Sequence, residues 1–307
     1  MTTVLERPAQ LTAVVAPPAA PPLNGGRLRA LLAVWLVVLI AGMGLVVYGF
    51  GSYFQTRDQR SLMREARGAL NRAANESTGL GGVTVAKRAP EFGAPLGILE
   101  IGAVRMQQVV VEGTQSAQTR RAPGHAPGTA GLGQPGNSVV VGRRKAYGAP
   151  FSRIAGLHKG NRILVSTTQG QTVYAVTSVR KVEMTPRVIE QVYGPSKDDR
   201  LTLVTSASLN PRNQKSAIVV VGQSKSTPFA PTPQGARHQR EFGGRGDRGA
   251  LPAVIIALVL YGLAMSASIV LYRRLQPRTA YLLTIAPVVA LTVIAAETFS
   301  RVFPAWM

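Results

Sequence analysis

The chain has no cysteine. That excludes a disulfide framework, a thiolate metal site, thiol redox chemistry and any cysteine nucleophile. Histidine is scarce as well, with three in 307 residues, His125, His158 and His238, none spaced as a metal-binding pair. No Walker-type phosphate loop and no internal repeat occur, so neither a cofactor nor a metal is expected. Acidic residues are few, 14 Asp and Glu against 35 Lys and Arg, which leaves a formal charge of +21. Such an excess calls for anionic surroundings: nucleic acid, lipid headgroups or wall polymer.

Apolar runs, by contrast, are long. Residues 30–50 contain no charge and follow Arg27 and Arg29. They reach across a hydrocarbon core of about 30 Å as a helix, and no small-residue cleavage site follows before Tyr53 and Phe54. Two further runs, 251–272 and 279–300, flank the short basic loop RRLQPR and predict a helical hairpin. Pro287 would kink its second helix. Glu297 near the end is expected to be solvated at the interface.

Positive residues in short loops stay cytoplasmic, so the hairpin loop is expected inside and residues 52–250 outside the cytoplasmic membrane, with the N-terminus inside. Arg57, Arg60 and Arg64 after the first run oppose this orientation, but long domains translocate almost regardless of charge. Most of the positive excess then faces away from the genome. With no stripe of aromatics interleaved among basic residues, nucleic acid is not an expected partner.

The remaining chain divides by texture. Residues 1–26 are Ala and Pro rich and read as a disordered cytoplasmic tail. The first membrane helix takes 27–51. An approximate three-to-four period through Leu62, Met63, Ala66, Ala69, Leu70 and Ala73 predicts a helical stalk over 52–80. From about 90 to 224 the pattern changes to short β-branched runs, VVVEG, SVVVG, RILVSTT, TVYAVTSV, LTLVTS and AIVVVG, separated by turn residues. PRVIEQVYG, with Pro186 at a helix start, interrupts them. A mainly β, closed barrel or sandwich with little helix is predicted there. A Pro/Gly/Arg linker over 225–250 leads to the hairpin.

Within the β region, the run APGHAPGTAGLGQPGNSVVVGRRKAYGAPFSRIAGLHKGNRI and the later LTLVTSASLNPRNQKSAIVVVG resemble the sortases, in particular the class E type of actinobacteria. The likeness covers roughly 92–224 and implies a sortase-type closed β-barrel, extracytoplasmic and membrane anchored. It also implies a chemistry of a Cys nucleophile, a His acid and base, and an Arg that stabilises the oxyanion. This chain departs at each position. Arg143 stands at the His of the GHR element, Ser206 at the Cys of the TLTTC element, and Lys215 is the nearest cation to the Arg before the last strand.

A serine hydroxyl needs an adjacent base, and a guanidinium cannot accept a proton at neutral pH. The expectation is therefore a catalytically inactive pseudo-sortase, a binding or structural subunit in the bacterial cell envelope. Its binding candidates are Arg143, Arg144, Lys145, Tyr147 and Lys215. Expected partners are a membrane or envelope protein, an anionic peptide or wall polymer, and anionic lipid. The alternative is a serine acyltransferase or peptidase that uses Ser206 with His125 or a deprotonated Lys215 as base. A purely architectural role for the basic surface is the third reading.

Overall fold

The structure, a computed structural model, describes residues 51–78, 88–208, 215–235, 246–302, 305 and 306, together with isolated positions at 26, 33, 36–37, 39–42 and 44–45. The expected tail over 1–26 and most of the first membrane helix over 27–51 lie outside the described residues. Among those described, two helices are long and apolar enough to cross a membrane, not three.

Helix α1, Gly51–Thr78, precedes strands β1, Pro95–Ile101, and β2, Met106–Glu112. A four-residue helix α2, Ser116–Thr119, leads to the two-residue strand β3, Gly124–His125, and to β4, Asn137–Val141. Then come β5, Arg162–Thr167, and the long β6, Gly170–Glu183; helix α3, Pro186–Tyr193; and β7, Arg200–Ser206, and β8, Ser216–Ser224. The chain continues into α4, Leu251–Arg274, and α5, Pro277–Val302. The eight strands close into one barrel in the order β1-β2-β3-β4-β7-β8-β6-β5.

Strand alternation sorts the apolar residues into two layers. Val140, Leu201, Leu203, Ile218 and Val220 join Leu99, Ile163 and Tyr174 inside the barrel. Their neighbours Val139, Val141, Val204, Ala217 and Val219 form a second cluster on the outer face, covered by Val192 and Tyr193 of α3. Burial on both faces is why SVVV and LTLV read as nearly continuous apolar runs. Helix α3 forms where expected because Thr185 accepts from the Val188 N–H as N-cap and Pro186 opens the first turn.

Helix α1 does not project as a stalk. Its Leu62 and Ala66, one turn apart, pack on Ile98, Val109, Val111 and Ala122 of the barrel. Gln59 completes the contact by accepting from the Val109 N–H at 3.0 Å and donating to the Arg121 carbonyl at 3.1 Å. The sequence period identifies an apolar stripe, and a stripe of that kind is buried wherever a matching surface is in reach.

The expected linker is also partly docked. Phe229 donates its N–H to the Gly133 carbonyl at 2.9 Å, and its ring lies where side chains on Gly133 and Gly170 would stand. Thr232 and Gln234 bond Gln134. Helices α4 and α5 pair through a two-residue connection, 275–276, which forces them antiparallel. At 24 and 26 residues they are about 36 and 39 Å long, and Ile255, Leu263, Leu282 and Val289 point outward from the pair.

Candidate functional site

Parallel pairing of β4 with β7 brings the two departures from the sortase pattern together. Val141 is registered with Val204, and Arg143 and Ser206 each lie two residues beyond that pair. The Gly142 N–H donates to the Val204 carbonyl at 3.0 Å, and Thr205 Oγ1 donates to the Gly142 carbonyl at 2.7 Å, so the register holds to the strand ends. Gly142 is required here, because a Cβ would lie 2.5 Å from the Phe151 ring.

The turn after β4 is unusual. Tyr147, Gly148 and Ala149 are all left-handed, at φ of 52°, 72° and 45°. Two of these are not glycine, a conformation that persists only where surrounding contacts hold it. The turn carries Tyr147 back over Arg143, whose guanidinium carbon stands 4.9 Å from the ring centroid. Arg120 lies 5.7 Å from the same ring.

Arg143 is 2% exposed. Its Nη2 donates to Ser116 Oγ at 2.8 Å, Ser116 Oγ donates to the Ser300 carbonyl of α5 at 3.4 Å, and its buried Nε has no hydrogen-bond partner among the described residues. Burial pushes the guanidinium down to about 10; Tyr147 counters this in part and the Arg120 charge adds to it. Arg143 is therefore held inside the protein rather than presented on a solvated loop. Glu297, expected to be solvated, pairs with Arg120 and with Arg301 one turn on.

The other candidates divide by exposure. Arg144 is half-buried, and its Nη1 donates to the carbonyls of Ser206 at 2.9 Å and Ala207 at 3.0 Å. Lys145 is exposed and Tyr147 buried. Lys215 is exposed just before β8, and the Ala207 N–H donates to the adjacent Ser216 carbonyl. Arg144, Lys145 and Lys215 thus share one end of the barrel. Arg143 and Tyr147 lie beneath it.

Ser206 is fully buried. Its hydroxyl donates to the Ser208 carbonyl at 2.9 Å and accepts from the Ser208 N–H at 3.2 Å, a closed local turn that commits the proton to a carbonyl. His125, in β3, is also fully buried; its Nδ1 is 2.8 Å from Glu112 Oε2, and its Nε2 is 2.8 Å from the Ala130 carbonyl and 3.0 Å from Thr129 Oγ1. The ring is thus engaged from both sides, by the carboxylate at Nδ1 and by the carbonyl and hydroxyl at Nε2. Both ring nitrogens are committed within the barrel. His158 is exposed in a turn, and His238 lies outside the described residues. No cluster of three or more His, Asp or Glu capable of holding a metal occurs among the described residues.

Ser116, Arg120 and Trp306 escape sequence reading, as does the pairing of Glu297 with Arg120. Trp306 is 1% exposed and packs in the outer-face cluster with Val141 and Val204. Its carbonyl accepts from the Arg144 N–H at 3.2 Å. Its contacts lie more than eighty residues away in sequence, and no local pattern announces them.

Residues 99–225 match the family model described as the sortase domain. Sortase D of Bacillus subtilis strain 168 is similar at 26% identity over 154 residues, 48% of this chain and 76% of that protein. Among solved structures, the Clostridium perfringens sortase D5 transpeptidase aligns at 16% identity over 55% of this chain and 99% of its own, with a TM-score of 0.46. Sortase E from Streptomyces avermitilis aligns at 28% identity over 46% of this chain and 93% of its own, with a TM-score of 0.39. The eight-stranded barrel with its short helices, residues 95–224, coincides closely with the residues that match the sortase-domain model.

Proposed function

We propose that this sortase-like domain is catalytically inactive and acts as a binding or structural subunit at the outer face of the bacterial cytoplasmic membrane, anchored there by its apolar helices. One observation carries the reading. At the position that matches the sortase His, the chain has a guanidinium buried against Tyr147 and Ser116, beside a serine whose proton is given to a backbone carbonyl. Acid–base transfer needs a group that loses and regains a proton near neutral pH, and Arg143, at about 10, does not. His125, already bound on both nitrogens, offers Ser206 no free lone pair.

The helices support the membrane placement. Both ends of the hairpin lie at the barrel: the Asp247 N–H donates to the Arg301 carbonyl, and Ser116 donates to Ser300. The loop with Arg273, Arg274 and Arg278 is then at the far end, about 36 Å away, as a cytoplasmic basic loop requires.

The partner class is an envelope protein, an acidic peptide or an anionic wall polymer, met by Arg144, Lys145 and Lys215 at the barrel end. The test is affinity purification of the full chain from membranes in mild detergent, compared with Lys145→Ala/Lys215→Ala. A stoichiometric partner lost in the double variant supports the reading. Cleavage or transfer of a sorting-signal peptide that disappears in Ser206→Ala would replace it with the serine acyltransferase.

A further inference from the structure

The outer face of the β4–β7 pair holds an occupant from its own chain. Val139, Val141, Val204, Ala217 and Val219 supply a floor, and Tyr193 of α3 stands over it. Burial raises the Tyr193 phenol well above its ordinary range, which marks a water-poor surround. Into this apolar patch fits Trp306, four residues beyond α5 and among the largest fully buried side chains of the protein. Four residues reach at most about 14 Å, so the indole lies near the end of the helix that precedes it.

The segment is held as a bound peptide is held. Its indole fills the apolar patch, while its backbone carbonyl accepts from the Arg144 N–H at 3.2 Å. Upstream on α5, the Glu297 carboxylate pairs with Arg120, and Arg120 shares the Tyr147 ring with Arg143. An indole, a carbonyl and a carboxylate from one segment therefore meet an apolar floor, an N–H and a guanidinium of the barrel.

Alternation along β7 decides what this segment covers. Val204 belongs to the outer cluster and Leu203 to the interior, so Ser206, two residues beyond Val204, faces the same side as Trp306. Its registered partner, Ala217, is in the Trp306 cluster. We infer that the β4–β7 outer face is an aromatic-peptide socket filled in cis by Trp306, and that this plug closes the face on which Ser206 lies. The inference stands apart from the partner proposed above, since neither a partner nor an activity enters its test.

The absence of cysteine makes that test clean. Ser206→Cys in the detergent-purified full chain gives one thiol, whose reaction with a water-soluble maleimide reads access to the face. Ser152→Cys, in an exposed turn, gives the open reference, and Ser138→Cys, fully buried in β4, reports whether the barrel stays folded. The thiol at 206 is expected to react at least tenfold more slowly than that at 152. Adding Trp306→Ala should raise the rate at 206 at least tenfold and leave 138 blocked, while Trp306→Phe, which refills the patch, keeps 206 slow.

Three results overturn the plug. The thiol at 206 could react as fast as that at 152 in the full chain, or its rate could ignore Trp306→Ala while 138 stays blocked. If Trp306→Ala instead opens 138 and 206 together, Trp306 is a core element of the barrel and not a removable plug.

Discussion

Arg143 and Tyr147, four residues apart in one loop, are stacked with the guanidinium 4.9 Å from the ring centroid, and the stack forms only because Tyr147 takes a left-handed backbone. A desolvated cation–π contact contributes on the order of 2 kcal/mol, and loss of a buried ring adds packing loss. Tyr147→Leu is expected to cost about 2–4 kcal/mol and Tyr147→Phe less than about 1 kcal/mol, read as shifts of the thermal midpoint in detergent. Equal losses in the two variants would show that the ring face does not carry the interaction.

Removing the charge should behave differently from removing the ring. Arg143 at about 10, against an ordinary value of 12.5, is charged at neutral pH at a cost of roughly 3 kcal/mol. Arg143→Met is therefore expected to leave stability unchanged or raise it by up to about 3 kcal/mol. In that background Tyr147→Leu should lose less than it does alone, and additive effects would contradict the coupling.

Alkaline stability has a fixed sign. Burial raises the Tyr174 phenol to about 12, partly offset by the hydrogen bond from the Gly133 N–H, and raises Tyr193 further. A phenol raised on folding contributes stability that is complete below its unfolded value near 10 and is lost as pH climbs toward the folded value. Stability should thus fall by about 2 kcal/mol or more between pH of about 10 and about 12, and Tyr193→Phe should soften the fall. Arg143 works in the opposite direction over the same window, so Arg143→Met should steepen it. Thermal midpoints measured across the alkaline range check both signs.

The Glu112–His125 pair is structural. Both groups are buried, and the imidazole ties β2 and β3 to the loop at Thr129 and Ala130. His125→Ala leaves a buried carboxylate without its partner and should cost about 3–5 kcal/mol. Thermal unfolding measures it, and a loss below about 1 kcal/mol would argue that the pair is kept for chemistry rather than for folding.

The sequence made the barrel visible because its strands are short, β-branched and separated by turn residues, and because LTLVTS and SVVVG carry apolar residues on both faces. The meeting of Arg143 and Ser206 was readable only through the resemblance, since parallel pairing of β4 with β7 joins segments about sixty residues apart. Where the Arg143 side chain goes was not readable. A basic run after a strand looks the same whether its first residue faces water or turns beneath a left-handed Tyr147. Glu297 and Trp306 were hidden for a related reason: one reads as a helix-end carboxylate and the other as a stray aromatic until folding sets Arg120 and the outer face of β7 beside them.

The central claim is that Ser206 performs no covalent chemistry. It is tested most directly by incubating the purified full chain, and its Trp306→Ala variant, with a fluorophosphonate that acylates activated serines, then reading intact mass and the modified residue. The account predicts no adduct at Ser206 in either protein, because the hydroxyl donates to the Ser208 carbonyl and the guanidinium of Arg143, at the position that matches the sortase His, accepts no proton at neutral pH. A stoichiometric adduct at Ser206, abolished by Ser206→Ala, would contradict it.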